Sequence, residues 1–217
     1  MNRMGSSWEV TGGRIASRNW FDAPGRPDWS GLASEPRRAH SQRVGSRRAA
    51  GKDATMPDQA NTRMRLERFF AAPPAKVYRA FTDPDQLAEW FGPLGFHVPR
   101  SSVRVDARAG GFWHLVMVGN ENPAITSPVD SVFTEVVENV RLVSYEDARG
   151  MPGVRDGTRL VLTIEFTPDG DGTRLVIDQG PFPARLSESG AAGWRQSFGK
   201  LDALLETPAD LHTPAAG

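Results

Sequence analysis

The chain has 217 residues, no cysteine and a formal net charge of zero. Without cysteine there are no disulfides, thiolate nucleophiles or cysteine-held zinc and iron–sulfur centres, a composition that fits a reducing compartment. The charge is unevenly spread: residues 1–52 carry ten basic side chains against four acidic ones, and the remainder 16 against 22. The folded part is therefore expected to be mildly acidic and to bind no nucleic acid.

Residues 1–60 are rich in Gly, Pro, Ser and Arg and show no sustained period, so they are expected to form an unstructured Arg-rich extension. No apolar run reaches the length of a membrane span, and no apolar stretch follows the N-terminal arginines as a secretory signal requires. The cytoplasm is the expected location.

From Thr62 the character changes, and 61–207 reads as one domain followed by a Pro/Ala tail at 208–217. MRLERFFAA predicts a first strand at about 63–71, which Ala72-Pro73-Pro74 breaks. AKVYRAFTD predicts a short helix. A second follows in PDQLAEW, capped by Thr82 or Asp83 with Pro84 at its first position. Leu87, Trp90 and Phe91 share one face of it, and Gly92-Pro93 stops it.

Strand-like segments come next. HVPRSSVRVDAR (97–108) alternates at Val103 and Val105, and Gly110-Gly111 turns the chain into FWHLVMVG. Asn120 to Pro128 reads as loop. DSVFTEVVEN (130–139) and RLVSYEDA (141–148) read as a hairpin; TRLVLTIEFTP (158–168) and TRLVIDQGPF (173–182) flank the turn Asp169-Gly170-Asp171-Gly172. From about Ser187 to Glu206 a helix is predicted, with Trp194, Phe198, Leu201 and Leu205 in one stripe. Its Gly193 and Gly199 each cost about 1 kcal/mol relative to alanine, which suggests close approach to a neighbour.

The order is strand, two short helices, five or six antiparallel strands and one long helix. The class is α+β, with a curved antiparallel sheet wrapped around the C-terminal helix.

Residues of about 62–206 resemble the START-like helix-grip (SRPBCC) superfamily, and within it the activators of the heat-shock protein 90 ATPase and their homologues. The resemblance is carried by MRLERFFAAPPAKVYRAFTDPDQLAEWFGP, VDARAGGFWHLVM, FTEVVENVRLVSYED, the paired strands TRLVLTIEFTP and GTRLVIDQGPF, and GWRQSFGKLDALLE. It implies a sheet gripping the long helix, with an internal pocket that binds small apolar molecules in several relatives. Relatives include lipid carriers, polyketide cyclases, hormone-binding proteins and co-chaperone domains, and fold alone does not choose among them. Residues 1–60 do not look like the additional binding domain of the co-chaperone activators.

The resemblance places Trp113, Leu115 and Met117 inward. A pocket lined by these and Phe133, with Trp90 and Phe91 at its mouth and Trp194 and Phe198 from the helix, would be apolar with few polar anchors. All could equally form core, although an indole N–H needs a partner that a ligand could supply. Among polar groups, Glu135, Glu138, Glu146 and Asp147 crowd one hairpin. Glu135 falls on the side of Phe133 if no bulge intervenes and is the first candidate for a carboxylate inside, where burial would raise its pKa. Tyr145 is a candidate hydroxyl donor. His114 is the only histidine expected within the sheet, on its outer face; His97 is expected in a loop.

No HExxH, Walker loop, GxSxG or GxGxxG motif occurs in a fitting context, and Asp169 to Gly172 lacks the later ligands of a calcium loop. No metal and no cofactor are expected. Three functions remain: binding of a small apolar molecule, an enzyme of cyclase, dehydratase or hydrolase type using Glu135, Tyr145 or His114, and a co-chaperone-like domain that docks a chaperone through the outer sheet face.

Overall fold

The apolar alternation becomes strands and the C-terminal stripe becomes one long helix in the computed structural model, which describes residues 62–206. The expected extension (1–60) and tail (208–217) lie outside the described residues. β1 (Thr62–Phe70) leads into α1 (Pro74–Thr82) and α2 (Pro84–Trp90). The short β2 (Phe96–His97) and β3 (Arg104–Val105) follow, then β4 (Phe112–Gly119), β5 (Thr126–Val137), β6 (Arg141–Asp147), β7 (Arg159–Asp169) and β8 (Gly172–Phe182). α3 (Ala184–Glu206) ends the domain.

The strands make one curved antiparallel sheet in the order β1-β8-β7-β6-β5-β4-β2, with β3 also paired to β4. Pairing the last strand with the first brings the start of α3 beside the domain's N-terminus: the Thr62 and Ser187 hydroxyls lie 2.9 Å apart.

Four local expectations are corrected. The segment 97–108 is not one strand: a turn of 3₁₀ helix at Arg100–Ser102 separates β2 from β3, because Pro99 has no N–H to give a ladder. That puts His97 at the end of a strand rather than in a loop, with Nδ1 2.7 Å from Asn120 Oδ1. The loop after β4 is shorter than Asn120–Pro128, since β5 begins at Thr126 and runs through Pro128. α3 begins at Ala184, three residues before Ser187, where Pro183 accepts backbone hydrogen bonds from Leu186 and Ser187.

The two short helices form as their sequence dictates. Asp83 is the cap: its carboxylate accepts from the N–H groups of Asp85 and Gln86, and Pro84 follows at a position that needs no donor. The chain leaves α2 through Gly92 at φ +96°, a backbone conformation that glycine adopts without Cβ strain. Val77, Phe81, Leu87 and Trp90 are completely buried.

α3 lies across the concave face. Phe198 and Leu201 are buried on it, each burial favouring the fold by roughly 2 kcal/mol. Phe198 meets Phe70 edge-on at 5.5 Å. Polar ties fix the helix in place: Arg68 to Asp202 at 2.5 Å, Lys76 Nζ to the Leu205 carbonyl at 2.5 Å, and Lys200 Nζ to the Phe91 carbonyl at 3.3 Å. Burial pushes the Lys200 pKa down.

Of the two α3 glycines expected to approach a neighbour, Gly193 is buried and Gly199 faces open space, while Gly190 is a further close approach. A Cβ on Gly190 would lie 3.2 Å from Met64 Sδ, whereas one on Gly199 would meet nothing within 4 Å.

Candidate functional site

The face of the sheet beneath α3 carries Met64, Leu66 and Phe70 from β1, Trp113, Leu115 and Met117 from β4, Phe133 from β5, Leu142 from β6, Leu160, Leu162, Ile164 and Phe166 from β7, and Leu175 and Ile177 from β8. Trp113, Leu115, Met117, Phe133 and Phe198 are all buried, and Trp194 is half-buried against them. Phe91 lies between two indoles, 5.4 Å from Trp113 and 5.7 Å from Trp194 by ring centres. The aromatic residues expected to line a pocket are thus brought together.

Trp90 is placed differently from expectation. It lies wholly inside the fold, not at a rim, and its indole N–H donates to the Ala80 carbonyl at 2.8 Å. That bond and the Phe81 ring at 4.7 Å make it a core residue between α1 and α2.

The three indoles differ in what their N–H groups find. Trp194 donates to Gln179 Oε1 at 3.1 Å. Trp113, 1% exposed, has no partner for its Nε1. An unpaired donor in an apolar interior costs about 1–3 kcal/mol, so this atom is a standing defect that a bound acceptor would repair.

Other polar groups share the face. Ser131 stands opposite Trp113 on the neighbouring strand, and Ser144 stands opposite Phe133. Both hydroxyl-bearing residues are buried, Ser131 at 4% exposure and Ser144 at 2%. Ser131 and Glu146 flank the Val132–Tyr145 pair on the inner side, and Glu146 stands opposite the buried Leu160. Burial pushes the Glu146 carboxyl from its usual 4.5 up to about 7; a backbone N–H from Asp130 works against the shift, and the Asp130 charge adds to it.

Glu135 is not inside. A β-bulge between Phe133 and Glu135 inserts Thr134 as an extra residue, which reverses the alternation and turns Glu135 to the outer face. There it lies 3.6 Å from Arg141, whose Nη1 bonds Glu165 at 2.8 Å. Tyr145 also faces outward, with the Arg159 guanidinium over its ring at 3.9 Å. His114 is on the outer face as expected and lies 3.1 Å from Asp130. None of the three carboxylate, hydroxyl or imidazole candidates reaches the concave face.

Sequence reasoning put Glu135 ahead of Glu146 and passed over Ser131, Ser144 and Gln179. The signal for Ser144 and Glu146 was present: in RLVSYED, Leu142, Ser144 and Glu146 fall at every second residue, so an inward Leu142 carries the others with it. A cleft of about 180 Å³ bounded by Arg65, Thr163, Glu165, Val176 and Asp178 lies on the other, outer face, among ion-paired side chains. Among the described residues there is no cluster of three metal-ligating side chains, and no helix is long and apolar enough to cross a membrane.

The sheet order, the two short helices and the single long helix on the concave face define the helix-grip architecture. Residues 71–206 match the model of the family described as activator of Hsp90 ATPase homolog 1-like protein (AHSA1). The chain belongs to the AHSA1 family.

Solved structures agree. Protein CV1439 from Chromobacterium violaceum is 32% identical and superposes with a TM-score of 0.59, over 67% of this chain and 98% of that one. Protein NE0264 from Nitrosomonas europaea is 28% identical with a TM-score of 0.56, over 68% and 96%. The AHSA1 protein from Silicibacter pomeroyi is 28% identical with a TM-score of 0.54, over 66% and 97%. No curated protein matches the chain.

Proposed function

We propose that this AHSA1-family domain binds a small, mainly apolar molecule between the concave sheet face and α3. The observation that carries the reading is the Trp113 indole N–H: completely enclosed by apolar rings, yet unpaired. Native structures leave few such donors unsatisfied, and a site for a ligand is where one is tolerated. Ser131, Ser144 and Glu146 give the same face a few polar anchors in an apolar lining, the pattern that small-molecule sites use to orient a ligand. Half-buried Trp194, Met151 and Val154 border the core and can yield more easily than the sheet.

The test is native mass spectrometry of gently purified protein, followed by titration with the neutral dye Nile red. A retained apolar molecule, or dye binding that weakens several-fold in Trp113→Phe, is the expected result. Neither a retained molecule nor dye binding would sink the reading.

A second reading, acid–base catalysis, passes from Glu135, Tyr145 and His114 to Glu146. The observation favouring it is a half-buried carboxyl poised near neutral pH on the concave face. In D₂O, a bound ketone should then gain deuterium beside its carbonyl faster with the wild-type protein than with Glu146→Gln. Equal rates would remove the catalytic reading and leave binding untouched.

A further inference from the structure

We infer that the concave site selects an apolar molecule ending in an uncharged carbonyl, which accepts hydrogen bonds from both the Trp113 indole and the Glu146 carboxylic acid. This rests on the binding reading above and names its ligand class.

The argument is one of donors and acceptors. Trp113 Nε1 can only donate, and it has no acceptor within the protein. Its strand neighbour across the ladder is Ser131, and the strand beyond brings Glu146 to the same face. A half-buried carboxyl group standing opposite the buried Leu160 keeps its proton more readily than an exposed one, and so becomes a second donor. Two donors on one row of the concave face, with Ser131 between them, suit one oxygen with two lone pairs. A carbonyl offers that oxygen and brings no proton that needs a partner.

The other head groups fit less well. A fatty-acid carboxylate would bring a negative charge toward Glu146 and the nearby Asp130, in a place where charge is poorly solvated. An alcohol accepts one bond and then needs an acceptor for its own proton, which the ionised Glu146 supplies. Alcohol binding therefore survives a rise in pH that carbonyl binding does not.

The charged groups near Glu146 come from the strands on either side, the loop after β6 and the start of α3. On β5 the carboxylate is Asp130, and His114 on β4 is paired to it. On β7 Leu160 faces Glu146, while Arg159 lies 3.7 Å from Asp147 and over Tyr145 on the outer side. The loop after β6 contributes Arg149, Arg155 and Asp156, and the first turns of α3 contribute Arg185 and Glu188; all five are exposed.

The experiment is calorimetric titration of the full chain with three ligands of equal chain length: methyl nonyl ketone, undecanol and undecanoate. At pH 6 the ketone should bind at least tenfold more tightly than undecanoate. Between pH 6 and 8.5 ketone affinity should fall about tenfold or more, while undecanol affinity changes less than threefold. Glu146→Gln, whose amide donates at every pH, should keep ketone binding and lose its pH dependence. Should that variant fail to fold, ¹³C resonances of the wild-type carboxyl groups serve instead: ketone must raise the Glu146 titration midpoint. Flat ketone affinity across this range, or undecanoate binding as tightly as ketone, would overturn the inference while leaving apolar binding in place. Failure of all three ligands to bind at any pH would remove the binding reading and this inference together.

Discussion

At the scale of single residues, Trp90 and Trp113 form a natural pair for comparison. Both are completely enclosed, and replacing either with phenylalanine removes similar volume. Trp90→Phe also breaks a good hydrogen bond to the Ala80 carbonyl and leaves that oxygen without its indole partner. Trp113→Phe removes a donor that was unpaired already. In the ligand-free protein Trp90→Phe should therefore cost about 2 kcal/mol more than Trp113→Phe, as read by urea denaturation. Equal costs would mean that Trp113 has a partner in the protein after all.

Glu146 supplies a pH signature at the same scale. Its carboxyl is raised in the folded state from 4.5 to about 7, so between those values the folded protein holds a proton that the unfolded chain has released. Stability must then fall as pH rises through this window, by about 3 kcal/mol at most. Glu146→Gln should remove the slope and make the protein more stable than wild type at pH 8, which thermal denaturation at pH 5.5 and pH 8 would reveal. Identical pH dependence in the two proteins would place Glu146 in water.

These residue-scale facts were only half legible beforehand. The alternation of Leu142, Ser144 and Glu146 could be read from the sequence. The position of Glu135 could not, because no feature of FTEVVEN announces that Thr134 bulges out of the ladder. One inserted residue exchanges the faces of everything after it, and with them the identity of the inner carboxylate. The indole of Trp113 was recognisable as needing a partner; that Ala80 satisfies Trp90 while nothing satisfies Trp113 depends on contacts far apart in the chain.

At the scale of elements, α2 and α3 carry the clearest signals. Asp83, Pro84 and Gly92 fix the ends of α2 through local chemistry alone, and all three act as their residue types predict. Asp83→Ala should cost about 1 kcal/mol through loss of the cap. The interior of α3 was harder to read, since sequence cannot say which glycine has a neighbour. Gly199 is exposed and has open space where a Cβ would stand, whereas Gly190 is crowded by Met64. Gly199→Ala should accordingly stabilise the protein by about 1 kcal/mol, because alanine loses less backbone entropy in a helix. A loss of stability on urea denaturation would show that α3 is packed more tightly at that turn.

At the scale of the whole molecule, the fold follows from two periods and one turn pattern. Period-two strands joined by hairpins give the antiparallel sheet, and a single long amphipathic helix must cover its apolar face. The order of elements was therefore legible, as was membership of the AHSA1 family through the EWFGP segment, the Gly110-Gly111 turn and the Gly193-Trp194 helix. What the concave face holds was not, because it depends on which side chains from β4, β5, β6 and α3 meet there. The outer face is laced by ion pairs from Arg63 to Asp178, Arg141 to Glu165 and Arg174 to Glu67. The inner face has an unpaired indole donor, two buried serines and a carboxyl near neutrality, whereas the unpaired Nε of Arg141 on the outer face belongs to a guanidinium already bonded to Glu165. That contrast is the basis for assigning the inner face to a ligand.

The measurement that bears most directly on this assignment is the indole region of a ¹⁵N–¹H correlation spectrum, with Trp113 identified by the signal lost in Trp113→Phe. On titration with methyl nonyl ketone at pH 6, the Trp113 indole proton should move downfield as it gains an acceptor, while that of Trp90 holds its position. A Trp113 signal that stays fixed throughout the titration would contradict the account.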